Sequence, residues 1–167
     1  MEEQNKPIRL MALIGLILQA VCTGITVLSR LFPQPFLAAM QQQDFAEDAA
    51  RATRHPLLLL TPFVGLVIYV LLYCLLQGQL RNPGDAAGTV FGLTIAAIPA
   101  MGIINLLLSF FTQRFVHLYY DAAALGALSL VNSSLNVITI MGSVAFPLLT
   151  AAAAMHWQRV RDLSLPR

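Results

Sequence analysis

Long apolar stretches without charge dominate the residue pattern of this chain. Asp, Glu, Lys and Arg are missing from four of them, residues 10–29, 56–80, 86–113 and 122–158. A helix needs about 20 mostly apolar residues to cross the ~30 Å hydrocarbon core of a bilayer, and every stretch reaches that length. The pattern therefore predicts four transmembrane helices, over residues 10–31, 56–76, 86–112 and 122–156.

Prolines and turn residues set the ends of these predicted helices. Phe-Pro-Gln-Pro at residues 32–35 stops the first helix, and Asn-Pro-Gly-Asp at residues 82–85 closes the second. The apolar run at residues 10–28 exceeds the roughly 7–15 residues of a signal-peptide core, so we expect a retained helix. Pro99 should kink the third helix. The fourth is too long to cross upright, so it tilts, kinks at Pro147 or projects beyond the lipid.

The distribution of basic residues predicts the orientation. Four spans place both termini and the turn at residues 77–87 on one side of the membrane. That side carries six basic residues, Lys6, Arg9, Arg81, Arg159, Arg161 and Arg167. The opposite side carries four, Arg30, Arg51, Arg54 and Arg114. Since Lys and Arg favour the cytoplasmic side, we predict an all-α four-helix bundle in the plasma membrane, multi-pass, with both termini cytoplasmic.

The one long connection is the outer loop at residues 32–55, which is predicted to contain a short helix. Five charged residues there follow a helical period and share one face: Asp44, Glu47, Asp48, Arg51 and Arg54. Such a helix is either a solvated connector or a lid over the bundle, and the sequence leaves both interpretations open.

Composition excludes several classes of protein. Of the 167 residues, 57% are hydrophobic and 11% are charged, whereas a soluble domain carries roughly 25% charged residues. Soluble globular and disordered chains are therefore excluded, and the lipid bilayer is the expected surrounding. The formal net charge of +2 and the dispersed arginines exclude a nucleic-acid partner. Cys22 and Cys74 lie at different depths, so no disulfide is expected.

Polar side chains recur at three- and four-residue spacing within each span, so each set lies on one helix face. Because lipid cannot satisfy these groups, we expect them to face neighbouring helices or water. With the predicted topology, nine lie at similar depth in the outer half of the membrane: Thr23, Thr26, Arg30, Asn105, Ser109, Thr112, Ser129, Asn132 and Asn136. Tyr73, Gln77 and Ser143 lie deeper, towards the cytoplasm.

Two interpretations of this polar cluster remain open. The amides and hydroxyls either bond one helix to another or line an outward-facing pocket for a small neutral or anionic solute. The density of polar residues in the fourth span is the reason to consider a pocket beside simple helix–helix bonding. Arg30 either faces that pocket or snorkels to the lipid headgroups. Our first hypothesis is therefore a non-enzymatic membrane protein that binds or passes a small solute through this cavity without a cofactor.

Small residues give a second hypothesis, an accessory or oligomerising subunit. Gly88, Gly92 and Ala96 are spaced four residues apart in the third span, and Ala20 and Gly24 are spaced likewise in the first. This spacing allows close approach of helix backbones. A homo-oligomer or a membrane partner subunit would use such faces.

Few residues suit catalysis, so enzymatic activity is left open but not favoured, and no catalytic residue is assigned. His55, His117 and Asp121 lie near the predicted outer surface, and a third hypothesis is a metal-dependent enzyme that uses them. The spans contain no Asp, Glu or Lys. That pattern disfavours proton-coupled transport and catalysis by paired carboxylates.

Overall fold

A computed structural model describes residues 2–32, 51–82, 86–120, 126, 129, 133 and 135–164. Over this part of the chain the structure is helical, without a strand. Its helices are α1 (Glu2–Leu31), α2 (Pro56–Leu60), α3 (Phe63–Arg81), α4 (Ala87–Tyr119), α5 (Asn136–Ser143) and α6 (Ala145–Ser164).

Four helical segments are long and apolar enough to span a membrane, which confirms that part of the prediction. They are Asn5–Leu31, Pro56–Arg81, Ala87–Tyr119 and Val137–Leu163. The second, third and fourth segments extend beyond their predicted C-terminal limits. A helix can continue through polar residues once it has left the hydrocarbon layer. Cytoplasmic placement of the termini stays a prediction. Residues 51–53 of the predicted outer-loop helix are helical, whereas residues 33–50 lie outside the described part.

Two of the four spans are broken near a proline. In the second, α2 ends at Leu60 and α3 starts at Phe63, since Pro62 has no N–H to donate to the carbonyl of Leu58. In the fourth, α5 ends at Ser143, whose carbonyl would accept from the N–H that Pro147 lacks. The fourth span is therefore broken one turn before Pro147. By contrast, α4 is continuous through Pro99.

The helices form a bundle in which α1 and α4 each pack against both α3 and α6. The pair α3 and α6 also touches, so α1 and α4 lie on opposite sides of that pair. Buried apolar side chains from all four helices form one core: Ile8, Ala12, Tyr69, Leu72, Leu76, Leu80, Val90, Ala97, Met101, Ala145, Phe146, Leu149, Ala152 and Ala153. Many large apolar side chains lie on the outside instead; Leu106, for example, is 71% exposed. A membrane protein presents such a surface to lipid.

A close helix approach in this core lies at Gly15. The hydroxyl of the fully buried Tyr69 donates to the carbonyl of Ala12 at 2.9 Å. The Tyr69 ring meets Phe146 edge-on, with centroids 5.4 Å apart. A Cβ at Gly15 would overlap the Tyr69 hydroxyl and lie 3.1 Å from the carbonyl oxygen of Ala145. Three helices thus meet at a position that has room for hydrogen alone.

The close approach that the spacing of Gly24 and Gly92 allows is not used between the described helices. A Cβ added at either residue would meet no described atom within 4 Å. Both are exposed on the bundle surface. Small-residue spacing identifies a helix face, but it does not say which neighbour, if any, covers that face. Gly88 does face a neighbour, since its Cβ would lie 3.3 Å from Nε1 of Trp157.

Candidate functional site

A cavity of about 1020 Å³ opens between α1, the α2–α3 break, α4 and the fourth span. Its lining includes seven of the nine predicted site residues: Thr23, Thr26, Arg30, Asn105, Ser109, Thr112 and Ser129. Asn132 and the side chain of Asn136 lie outside the described part. The structure therefore brings the polar faces of separate helices into one space, which we call the polar cavity.

The arrangement follows from helical periodicity combined with the packing order. On α1 the lining residues share one face of the helix: Gln19, Cys22, Thr23, Thr26 and Arg30. The helices α1 and α4 lie on opposite sides of the α3–α6 pair, and the polar faces of both line the same cavity.

The hydroxyls around the cavity bond mainly within their own helices. Thr26 donates to the carbonyl of Cys22 at 2.8 Å, and Ser143 donates to that of Ile140 at 2.6 Å. Thr139 does the same towards Leu135 at 3.1 Å. Such bonds leave the hydroxyl oxygens free to accept from another group. The Thr23 hydroxyl of α1 differs, since it donates to the carbonyl of Pro62 in the α2–α3 break at 3.5 Å. The hydroxyls of Thr26, Thr139 and Ser143 do not bond one helix to another within the described chain.

Asn105 and Ser109 lie on the α4 side of the polar cavity. Both side chains are exposed to its space, and neither hydrogen bonds to another described residue. Gln19 faces them from α1 and approaches Gly65, where an added Cβ would lie 2.9 Å from Gln19 Nε2. An amide directed into a cavity offers both donors and an acceptor. Packing between helices does not use these groups.

Arg30 occupies one end of the polar cavity and is 9% exposed. Its Nη1 donates to the carbonyl of Leu58 and, at 2.7 Å, to Oγ1 of Thr61. The Leu58 carbonyl is available because Pro62 cannot donate to it. Arg30 Nε is buried and has no hydrogen-bond partner within the described chain. Of the two orientations open from the sequence, the structure has Arg30 lining the cavity.

The C-terminal part of α4 completes this end of the cavity. Gln113, Arg114 and His117 belong to the lining, and Val116 packs with Leu58 in a small buried cluster. That contact brings α4 next to the carbonyl that binds Arg30. The sequence-based site omitted Gln113 and Arg114 because the predicted third span ended at residue 112, so the continuing period was not followed.

Five further polar residues line the cavity but were not part of the predicted site. They are Gln19, Thr61, Ser133, Thr139 and Ser143. All of them except Thr61 lie three or four residues from another polar residue of the same span, and so on its polar face. Their place in one cavity depends on how the helices pack.

The metal candidates do not come together as a group in the described structure. His55 caps α2, with Nδ1 accepting from the N–H of Leu57 at 3.3 Å, and its ring lies 4.6 Å from that of Phe115. His117 lies on the polar cavity. Asp121 is outside the described part. No three His, Cys, Asp or Glu residues cluster as metal ligands among the residues that are described.

Comparison with protein-family models, curated proteins and solved structures finds no match to this chain. The four apolar helices and the polar cavity describe its class: a multi-pass helical membrane protein with a polar cavity inside the bundle.

Proposed function

We propose that this protein binds, or passes, a small polar solute in the polar cavity. The observation that carries the proposal is the pair of polar side chains Asn105 and Ser109, which line the cavity and have no hydrogen-bond partner among the described residues. Polar groups inside a membrane domain are costly unless they meet a partner or water. A solute supplies the missing partners.

The size of the cavity agrees with this role. Its volume of about 1020 Å³ lies at the upper end of the roughly 300–1,000 Å³ usual for small-molecule sites. Simple helix–helix bonding would instead close the polar faces against each other. Solute binding requires no cofactor and no catalytic residue.

Thermal unfolding of the purified full chain tests the proposal. The panel is a sugar, a zwitterionic amino acid, a fatty acid and a lysophospholipid. We expect at least one to raise the Tm, and Asn105→Leu to remove that rise. Thr94→Val is the matched control, because Thr94 lies on the same helix, its hydroxyl donates to the Phe91 carbonyl at 2.8 Å, and neither residue belongs to the cavity lining. Absence of any shift across the panel would contradict the proposal.

Cys22 offers a second measurement of access to the cavity. It is buried but belongs to the cavity lining, whereas Cys74 is exposed on the bundle surface. In a Cys74→Ser background the neutral reagent methyl methanethiosulfonate should modify Cys22 in the folded protein, as seen by intact mass. Modification that begins only when the protein unfolds would show that solutes do not reach this space.

Self-association is a second candidate role. On α4, Gly92 and Ala96 are exposed, and a Cβ at Gly92 would meet nothing within 4 Å. An open small-residue face of this kind permits close contact with another helix. The role predicts a stable oligomer in mild detergent that Gly92→Ile disrupts. A monodisperse monomer of the unmodified chain would remove the homo-oligomeric form of this candidate.

A further inference from the structure

We infer that the ligand of the polar cavity is an anionic amphiphile whose phosphate or carboxylate group binds to Arg30. The inference rests on the proposed function and narrows it, because it names the charge and the character of the ligand. It depends on the geometry of the guanidinium, on a second cation nearby and on the apolar part of the cavity lining.

The hydrogen bonds of Arg30 leave one edge of its guanidinium unused. Nη1 is occupied by the carbonyl of Leu58 and by Thr61 Oγ1. Nε has no partner within the described residues, and no described residue accepts from Nη2. The Nε and Nη2 hydrogens point in the same direction, which is the arrangement that binds a carboxylate or phosphate through two parallel bonds. The unused edge belongs to a side chain of the cavity lining.

The position of the guanidinium is fixed before any ligand arrives. Pro62 leaves the Leu58 carbonyl without a helical donor, and Thr61 Oγ1 donates to the same carbonyl at 2.9 Å. Arg30 therefore contacts a rigid break between two helices and not a mobile loop. Donors held in place in this way lose less conformational entropy when an anion binds.

Burial makes an anion favourable at this point. A charged group inside a membrane domain is costly unless a group of opposite charge or several dipoles compensate it. The contacts of Arg30 within the described chain are neutral oxygens, and none of its described neighbours is a carboxylate. An anionic ligand would supply the opposite charge.

A second cation faces the same space. Arg114 and His117 line the cavity from α4, two residues before and one residue after Val116, which packs with Leu58 in one buried cluster. The carbonyl that binds Arg30 belongs to that same Leu58. Both arginines therefore lie at one end of the cavity, and an anion entering there is attracted by each of them.

Part of the remaining lining fits an apolar body. Ile98, Met101 and Phe146 belong to the cavity wall, and the space of about 1020 Å³ is much larger than a bare phosphate ion fills. An apolar chain next to an anionic group satisfies both kinds of lining. The ligand class is therefore an amphiphile and not a free inorganic anion.

Matched pairs of probes separate charge from apolar binding. The probes are oleate with oleyl alcohol, oleoyl lysophosphatidic acid with monooleoylglycerol, and inorganic phosphate alone. The full-length Cys74→Ser protein is held in a neutral detergent, and the rate of Cys22 modification by methyl methanethiosulfonate is measured. A bound probe should slow this rate, because Cys22 belongs to the same lining as Arg30 and Met101.

We expect both anionic amphiphiles to protect Cys22 at concentrations at which their neutral partners do not. Arg30→Gln should raise the concentration for half-protection by about tenfold or more, as expected when a charge-assisted bond is lost. Arg54→Gln is the control, because Arg54 lies near the end of α1, donates to the Leu31 carbonyl at 2.9 Å and does not line the cavity.

Each contrary result has a distinct meaning. Equal protection by charged and neutral partners, or protection unaffected by Arg30→Gln, would overturn the anion inference while leaving solute binding intact. Displacement of lysophosphatidic acid by an equal concentration of inorganic phosphate would overturn the amphiphilic part. Failure of every probe here, together with no Tm shift in the solute panel, would overturn the inference and the proposed function together.

Loss of folding in Arg30→Gln would not remove the test. Arg30→Lys keeps the charge but lacks the planar fork, so it should preserve the preference for anions while weakening their binding. Arg114→Gln changes an exposed side chain that no internal hydrogen bond holds within the described chain. It should weaken anion protection in a protein with an unchanged Tm. If the anionic probes protect Cys22 at the same concentrations in both variants as in the unmodified chain, the inference is contradicted.

Discussion

Gly15→Ala is the substitution that tests the packing of this bundle most directly. The added methyl group would overlap the Tyr69 hydroxyl and lie 3.1 Å from the carbonyl oxygen of Ala145. The first atom belongs to α3 and the second to the backbone of α6, which cannot rotate away. Either the Tyr69–Ala12 hydrogen bond breaks or α1 moves away from both neighbours.

The expected cost follows from three terms. Overpacking of a core costs about 1–3 kcal/mol, and loss of the Tyr69 hydrogen bond costs about 0.5–1.5 kcal/mol. Replacement of Gly by Ala in a helix returns about 1 kcal/mol. The free energy of unfolding should therefore fall by about 2 kcal/mol. Gly24→Ala is the matched control on the same helix, since its Cβ meets nothing within 4 Å, and it should be neutral or slightly stabilising.

A double-mutant cycle isolates the contact. Tyr69→Phe removes the overlapping oxygen, so the combined variant should be more stable than the sum of the two single effects predicts, by about 1 kcal/mol. The assay is reversible unfolding in mixed micelles with increasing SDS, followed by circular dichroism and by the fluorescence of the single tryptophan, Trp157. Additive effects of the two changes, or a Gly15→Ala variant as stable as Gly24→Ala, would refute this account of the packing.

Three further variants test other parts of the structure. Gly65→Ala should cost less than Gly15→Ala, because its Cβ meets only the flexible ends of Gln19 and Met101, at 2.9 and 3.2 Å; equal losses in the same unfolding assay would contradict this. Leu149→Ala empties a fully buried site and should cost about 2–5 kcal/mol, whereas Leu106→Ala, on the lipid-facing surface, should change the free energy of unfolding little. Pro62→Ala supplies an N–H that competes with Arg30 for the Leu58 carbonyl, so the preference for oleate over oleyl alcohol should weaken in the Cys22 assay; an unchanged preference would show that the proline break does not position Arg30.

The helices themselves were predictable because the membrane imposes a simple requirement on sequence. A span must be apolar over about 20 residues, and the gaps between charges show this directly. The ends were less predictable, since a helix continues into the polar interface without a change of composition. Ala87–Tyr119 is the example: it continues past residue 112 and carries Gln113, Arg114 and His117 to the cavity.

The polar faces were also predictable, but their role was not. Three- and four-residue spacing placed Thr23, Thr26 and Arg30 on one face of α1, and this deduction needs only the period of a helix. The same sequence fitted helix–helix bonding equally well. In the structure Thr26, Ser143 and Thr139 bond within their own helices, Thr23 bonds to the Pro62 carbonyl, and the Asn105 amide has no partner among the described residues. The distance between helices decides which polar groups meet a neighbouring helix, and periodicity does not set that distance.

The sequence by itself determined the class of protein, the number of spans and the polar face of each helix, since these depend on composition and periodicity along one chain. Only the tertiary structure decided which faces meet. It buried Gly15 against Tyr69 while leaving Gly92 open, and it joined Arg30 to the Leu58 carbonyl released by Pro62. The physical reason is that contacts between distant residues depend on helix packing and on the two proline breaks, and neither is encoded in the local period of any one helix.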